Sequence, residues 1–413
     1  MASRTWNAFT VPGFRVVWVA GVLSTAGDQL ARVALTILVF QRTGSPAWSA
    51  ATYALSMLPA LLSGALLSWL ADRFPRRRVM VVCDLVRAGL VALMAVPVVP
   101  LPLLAVLLVL VLVQLAEAPF SAAQGAVLPE LLGGRYEAGQ TVQQVTNQLC
   151  LVAGFAAGAL VVTGVGPHTA LAIDAVTFAV SAALLRVALG PHVPPVSLPG
   201  DALASRWRRS WRQVAGGAVA VFGDRRLATL LWLGWLALFT VVPEGLAVPF
   251  AQEIGVGGGW IGVLLAAEPA GAVVGAVLLR LVSRRTRLRA LGLLAIGTSV
   301  PLLGYWSGPG LVPALVLLFG SGLCSAYQVT AGATFVQLVP PDVRGRALGF
   351  ARTGMVAGQG LGIVLGGLLA QFTGPATAIA AAGTAGALVA LAAAAVWSRR
   401  EPQAISAVLP AES

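Results

Sequence analysis

The chain contains no lysine; all 27 of its basic residues are arginine. A phosphate-binding loop of the Walker type needs a lysine, so no such motif exists in these 413 residues. Cysteine is nearly absent as well. Cys83, Cys150 and Cys324 lie far apart, each inside an apolar run, which excludes a disulfide framework and a cysteine metal site. His168 and His192 are isolated and read as residues near helix ends. No nucleophile triad, metal cluster or redox-cofactor pattern is present, so the expectation is a protein that is not an enzyme and needs no cofactor or metal. Charge is scarce too. Only 10% of residues are charged, where a soluble domain averages nearer a quarter.

What fills the chain instead is apolar. Hydrophobic residues make up 58% and mean hydropathy is +0.87. A membrane-crossing helix takes about 20 apolar residues, so this content supplies about twelve of them. The 47 glycines and 25 prolines suit membrane helices, where close packing and local breaks are tolerated. Runs bounded by Gly, Pro or Arg predict helices at 14–40, 46–71, 78–97, 101–127, 138–164, 168–189, 227–251, 258–282, 287–306, 309–335, 344–372 and 375–397. The first run has no cleavable-signal pattern before it and reads as a retained helix.

The net charge of +12 would point to nucleic acid in a soluble protein, but the placement of the arginines argues for membrane topology instead. With the N-terminus inside, the cytoplasmic segments hold Arg73, Arg76, Arg77 and Arg78, then Arg135, then six arginines between 206 and 226. Arg284, Arg285, Arg287 and Arg289, Arg344 and Arg346, and Arg399 and Arg400 follow. The opposite short loops hold Arg42. This alternation predicts an all-α inner-membrane protein with twelve helices and both termini cytoplasmic. Its non-protein surroundings are the lipid bilayer, with no nucleic-acid partner. Twelve helices can enclose a pathway alone, so a monomer is expected to function.

The two halves echo one another. Residues 64–80 (GALLSWLADRFPRRRVM) align with 275–291 (GAVLLRLVSRRTRLRAL), and 154–170 (GFAAGALVVTGVGPHTA) with 362–378 (GIVLGGLLAQFTGPATA). Ser283 stands where Asp72 stands. The echoes fall at equivalent places and predict a duplication. The expected domains are a six-helix bundle at 1–190, a cytoplasmic linker at 191–226 with an amphipathic helix anchored by Trp207 and Trp211, a second bundle at 227–398, and a cytoplasmic tail at 399–413.

The stretch GALLSWLADRFPRRR resembles the signature between the second and third helices of the major facilitator superfamily. Gly64, Asp72, Arg73, Arg76 and Arg77 match it, and Pro75 replaces the usual Gly. The resemblance implies two six-helix bundles and a cytoplasmic gate at these residues. CDLVRAG (83–89) and IDAVTF (173–178) are similar to segments of bacterial macrolide and multidrug efflux members and siderophore exporters. GFAAG keeps the helix-packing glycines Gly154 and Gly158 of the fifth-helix antiporter motif but lacks its Gly-Pro pair.

Ionisable groups at mid-span cost about 2.5–3.5 kcal/mol or more, which makes them candidates for function. Asp28 lies near the centre of the first helix with Arg32 one turn on, a spacing that lets the two pair. Glu117 and Glu268 each sit just before a proline, and both are candidates for carrying a proton. Glu244 and Asp174 fall in outer halves of helices, where interfacial water is within reach. Arg32 reads as the one clear mid-span basic residue, which leans toward export. Three functions compete: proton-coupled export of a hydrophobic or amphipathic small molecule, uptake of a polar metabolite, and a receptor or scaffold that transports nothing. A scaffold has no reason to bury Asp28, Glu117 and Glu268.

Overall fold

The computed structural model describes residues 6–59, 67, 70, 73–96, 102–189 and 203–399; every regular element among them is helical. In chain order these are α1 (Pro12–Thr43), α2 (Pro46–Leu55), α3 (Arg76–Ala95), α4 (Leu103–Leu132), α5 (Tyr136–Val165), α6 (Pro167–Ala188) and α7 (Leu203–Gly223). The stretch 225–253 is broken into α8 (Arg225–Trp235), α9 (Ala237–Thr240) and α10 (Val242–Glu253). There follow α11 (Gly259–Arg280), α12 (Arg284–Ser299), α13 (Leu311–Ser325), α14 (Tyr327–Leu338), α15 (Arg344–Thr373) and α16 (Pro375–Ser398).

Ten helical stretches among the described residues are long and apolar enough to cross a membrane. Their limits fall within a few residues of the expected ones, except that the span expected at 101–127 runs on to Arg135. Two of the twelve expected spans are not among the ten. Of 46–71, the described part includes the helix α2, and most of 60–72 lies outside the described residues. The third is helical from Arg76 to Ala95 and apolar on average, but it is set apart from the ten by its charged residues Arg78, Asp84 and Arg87.

The described residues form two compact units, one drawn from 1–42 and 55–207, the other from 43–54 and 208–413. Residues 43–54 thus belong with the second unit, although the sequence places them in the first half. Gly367 of α15 has no side chain, so Ala47 and Ala50 pack directly on it, and Ser45 Oγ donates to Gln371 Oε1 at 2.6 Å. The expected amphipathic helix is present as α7, but the side chains of Trp207 and Trp211 lie outside the described ones, as do residues 190–202 and 400–413.

Each unit has its own apolar core. In the first, Phe14, Val17, Met80, Phe120 and Leu128 meet between α1, α3 and α4. In the second, Leu227, Leu230, Leu291, Tyr327 and Trp397 do so. Polar heads in an apolar bundle find no water and must be satisfied internally. Tyr327 Oη donates to the Leu233 carbonyl at 2.5 Å, and Trp397 Nε1 to that of Leu288 at 3.0 Å. Close approach is made by small residues. A Cβ on Gly271 or Gly275 of α11 would fall on the α13 backbone, and one on Gly322 of α13 on the Glu268 carbonyl.

The two halves of the second echo adopt the same turn. Gly166 has φ 85°, ψ 158° between α5 and α6, and Gly374 has φ 90°, ψ 153° between α15 and α16. Proline follows each as the first helical residue. This backbone region is essentially open to glycine alone. Helix ends are capped where the chain supplies an acceptor. Glu253 Oε2 accepts from Ala376 N at 3.0 Å, and Ser283 Oγ caps α12 by accepting from Thr286 N at 3.2 Å.

Nothing lies within 4 Å of a Cβ added at Gly166, so Gly166→Ala tests the backbone alone. We expect it to cost about 1–3 kcal/mol, seen as a lower unfolding temperature in detergent. Gly125→Ala, in the open and at an ordinary helical φ, should leave that temperature unchanged.

Candidate functional site

The first unit holds a buried polar cluster built from four helices. At its centre is Arg87 of α3, fully buried. Its Nη2 donates to both oxygens of Asp28 on α1, at 2.5 and 2.6 Å, and its Nη1 donates to Ser24 Oγ at 3.0 Å. Asp84, one turn before Arg87, presents Oδ1 at 3.7 Å from Nη1 and accepts at Oδ2 from Ser181 Oγ of α6 at 2.6 Å. The Arg87 guanidinium also stacks 4.1 Å from the centroid of the Phe178 ring. Asp174, also on α6, is fully buried, and its Oδ1 accepts from Thr177 Oγ1 at 3.3 Å. Glu117 of α4 is close enough for its charge to act on Arg87, and its Oε1 accepts from Ser121 Oγ at 3.0 Å. α4 runs as one helix through Pro119.

The sequence allows this because α1, α3 and α6 each place their polar residues on one stripe. Ser24, Gly27 and Asp28 share a face of α1, and Asp84 and Arg87 are one turn apart on α3. Asp174, Thr177, Phe178 and Ser181 follow the same spacing on α6. Gly27 is the point of closest approach, since a Cβ there would collide with Asp174 Oδ1 and Thr177 Oγ1.

This geometry corrects three expectations. Asp28 gives both its oxygens to Arg87, a residue 59 positions away, rather than relying on Arg32 on its own helix. Arg32 is not the one basic residue at mid-helix, so the lean toward export that rested on it falls. Asp174 has no exposure at all and does not reach interfacial water. Asp84 and Arg87 were open to the same mid-span test as Asp28, because both interrupt the apolar run VMVVCDLVRAGLVALMA.

The opposite face of α1 carries something different. Ala26 and Leu30 line a groove of about 370 Å³ with Cys150, Ala153, Gly154 and Gly158 of α5. A Cβ on Gly154 would collide with the Gln29 side chain, so that glycine sets the α1–α5 spacing, while one on Gly158 would stand 3.7 Å from Leu30 Cα, in ordinary contact. The groove walls are almost wholly apolar, and its volume is in the range of small-molecule sites.

In the second unit, Glu244 accepts a hydrogen bond from Tyr53 Oη. Its charge acts on Glu268, whose carboxyl also has the Ser325 hydroxyl as a neighbour. The structure therefore brings Asp28 and Glu117 to one cluster and Glu244 and Glu268 to another.

Of the gate residues, Gly64 and Asp72 lie outside the described residues, and Arg73 is exposed. Arg76 donates to the Glu130 carboxylate and to the Ala126 carbonyl at 2.9 Å, and Arg77 to the Leu189 carbonyl at 2.6 Å. Both contacts put a cation on the C-terminal end of a helix, where the dipole favours it. In the second unit Arg284 does the same with Gln337. Among the described residues, no three His, Cys, Asp or Glu side chains converge to hold a metal ion.

The model of the Major Facilitator Superfamily matches residues 17–248 and 245–413. Among curated proteins, the chain is 23% identical over 384 residues to the uncharacterized MFS-type transporter YkuC of Bacillus subtilis, covering 88% of this chain and 86% of that one. It is 28% identical over 192 residues to the multidrug efflux pump Tap of Mycobacterium tuberculosis, covering 42% of this chain and 43% of Tap. Among solved structures, the nucleoside transporter NupG superimposes with a TM-score of 0.71 at 15% identity, over 92% of this chain and 99% of NupG. A peptide transporter, POT, superimposes with a TM-score of 0.71 at 14% identity, over 95% of this chain and 94% of POT.

The Gly27 contact is directly testable. Gly27→Ala should drive α1 off α6 and cost about 1–3 kcal/mol, read as a lower unfolding temperature. Gly89→Ala on α3, with nothing near its Cβ, should not.

Proposed function

This chain belongs to the major facilitator superfamily, and on that premise we propose that it is a secondary active transporter that exports a hydrophobic or amphipathic small molecule in exchange for protons. It is a multi-pass membrane protein of a transporter family. The proposal adds the direction, the coupling ion and the substrate class. It also adds twelve spans in two six-helix bundles, both termini cytoplasmic in the inner membrane, and function as a monomer.

The observation that carries the reading is the double use of α1. One face lines an apolar groove that suits a hydrophobic ligand; the other holds Asp28, whose carboxylate pairs with Arg87 yet keeps 19% of its side-chain exposure. A carboxylate that is paired and still reachable can take up and release a proton, and a change in its pairing acts on the helix that lines the groove. The similarity to Tap, an efflux pump by name, supports export. Glu268 and Glu244 are the corresponding acidic candidates of the second unit, and Glu117 and Arg32 are neighbours of the first cluster. Gly64, Asp72, Arg73, Arg76 and Arg77 form the proposed cytoplasmic latch; the bonds of Arg76 and Arg77 to the ends of α4 and α6 support an anchoring part in it.

Uptake of a polar metabolite is the second reading. It is favoured by Gln29, Gln124 and Gln143, each of which has a buried amide atom without a hydrogen-bond partner.

Inside-out vesicles with an acid lumen discriminate the two. A panel of radiolabelled amphipathic compounds, a macrolide among them, should accumulate in the lumen only while the pH gradient lasts. Asp28→Asn and Glu268→Gln should each abolish the gradient-driven part. Normal gradient-driven transport by both variants would reject proton coupling through these residues, and accumulation only in right-side-out vesicles would establish uptake instead.

A further inference from the structure

Four carboxyl groups and two guanidinium groups stand in or beside the cluster of the first unit. From α1 comes Asp28, with Arg32 one turn on along the same helix, from α3 Asp84 and Arg87, from α4 Glu117 and from α6 Asp174; the Cys83 thiol adjoins them on α3. Arginine stays charged in any protein setting. If all four acids were ionised, the cluster would hold two uncompensated negative charges in an apolar bundle, a condition proteins avoid by taking up protons. The hydrogen bonds show where those protons belong. Asp28 has both oxygens on Arg87 and needs none, and Glu117 is only half-buried and accepts from Ser121. Asp84 and Asp174 are fully buried, and each has one oxygen, Oδ1 and Oδ2 respectively, that no hydrogen-bond donor reaches.

The guanidinium is also placed to choose between partners. Nη1 sits 3.0 Å from Ser24 Oγ and 3.7 Å from Asp84 Oδ1. A movement of about 0.8 Å would bring that second distance to an ordinary hydrogen bond. Phe178 supports the guanidinium face during such a slide, since its ring makes no directional demand.

We propose that Asp84 is the inner proton-holding carboxyl of this transporter and that Arg87 exchanges between Asp28 and Asp84, so that a proton received at Asp28 is occluded on Asp84. In one state Asp28 is ionised on Arg87 and Asp84 carries the proton. In the other, Asp84 is ionised on Arg87 and the same proton sits on Asp28, from which water can remove it. The proton and the guanidinium move in opposite directions, so the net charge of the cluster is the same in both states. Asp174 stays neutral throughout. Arg87 is here a positioning residue, because it steers the proton without carrying it.

The inference rests on the proton-coupled reading, and two measurements keep them apart. Infrared spectroscopy of the purified protein at neutral pH should show a protonated-carboxyl band that Asp84→Asn removes and that Ser181→Ala shifts by withdrawing the hydroxyl bonded to Asp84. In proteoliposomes, Asp84→Asn should lower pH-driven transport by about a hundredfold or more, the lower end of what a positioned proton-transfer group contributes. Substrate counterflow without a gradient, which a merely structural loss would lower equally, should fall far less. Arg87→Lys, with a point charge that cannot span both aspartates, should show the same split. If Asp84→Asn fails to fold, the Ser181→Ala shift decides. Loss of the gradient response in wild type itself would overturn proton coupling, whatever the variants do. A coupled wild type with an equally coupled Asp84→Asn, or a carboxyl spectrum in which no band is removed by Asp84→Asn or shifted by Ser181→Ala, would overturn the role of Asp84.

Discussion

A guanidinium with no water around it must be given its anions by the protein, and the first unit is arranged about that demand. Arg87 draws α1 through Asp28 and Ser24, and α6 through Asp84, Ser181 and Phe178. Gly27 then has to be a glycine, because α1 can approach α6 closely enough only if no side chain stands in front of Asp174. Breaking a buried ion pair by removing one member typically costs about 3–5 kcal/mol, while replacing the whole set with apolar residues often costs nothing. A cluster kept under those terms is better explained by what it does than by the stability it adds.

Much of the fold was legible from the residues. Helix limits follow from apolar runs that end at Gly, Pro or Arg, and the Gly-Pro echo at 166–167 and 374–375 marks two turns of the same geometry. The partnerships were not legible. Helical spacing says which residues share a face of one helix, but not which helices are neighbours. That is why Asp28 points on paper to Arg32, four residues on, and in the fold to Arg87. The segments 83–89 and 173–178, singled out only for their likeness to efflux proteins, are the two that meet at the cluster: Asp84 and Arg87 come from one, Asp174, Thr177 and Phe178 from the other. Their likeness is carried in part by residues that interrupt apolar runs, and such interruptions are where a bilayer protein declares its chemistry.

The two units repeat an anchoring device with different chemistry. Arg76 reaches Glu130 near the end of α4, and Arg284 reaches Gln337 near the end of α14. The first contact is an ion pair and the second a neutral hydrogen bond. The same asymmetry appears at Ser283, which occupies the place of Asp72 and serves as the N-cap of α12. In the first unit the acceptor is acidic and in the second it is neutral, and the helix end is bonded in both.

α1 separates two inheritances. Its groove face presents the apolar Ala26 and Leu30, while its other face carries Asp28, bonded to Arg87, and Gly27, packed against Asp174. Lineages descended from such a chain are free to diversify at Ala26, Leu30 and the α5 wall without disturbing the charged side. If protons drive transport as proposed, shape can change on one face of α1 while the coupling residues on the other stay untouched.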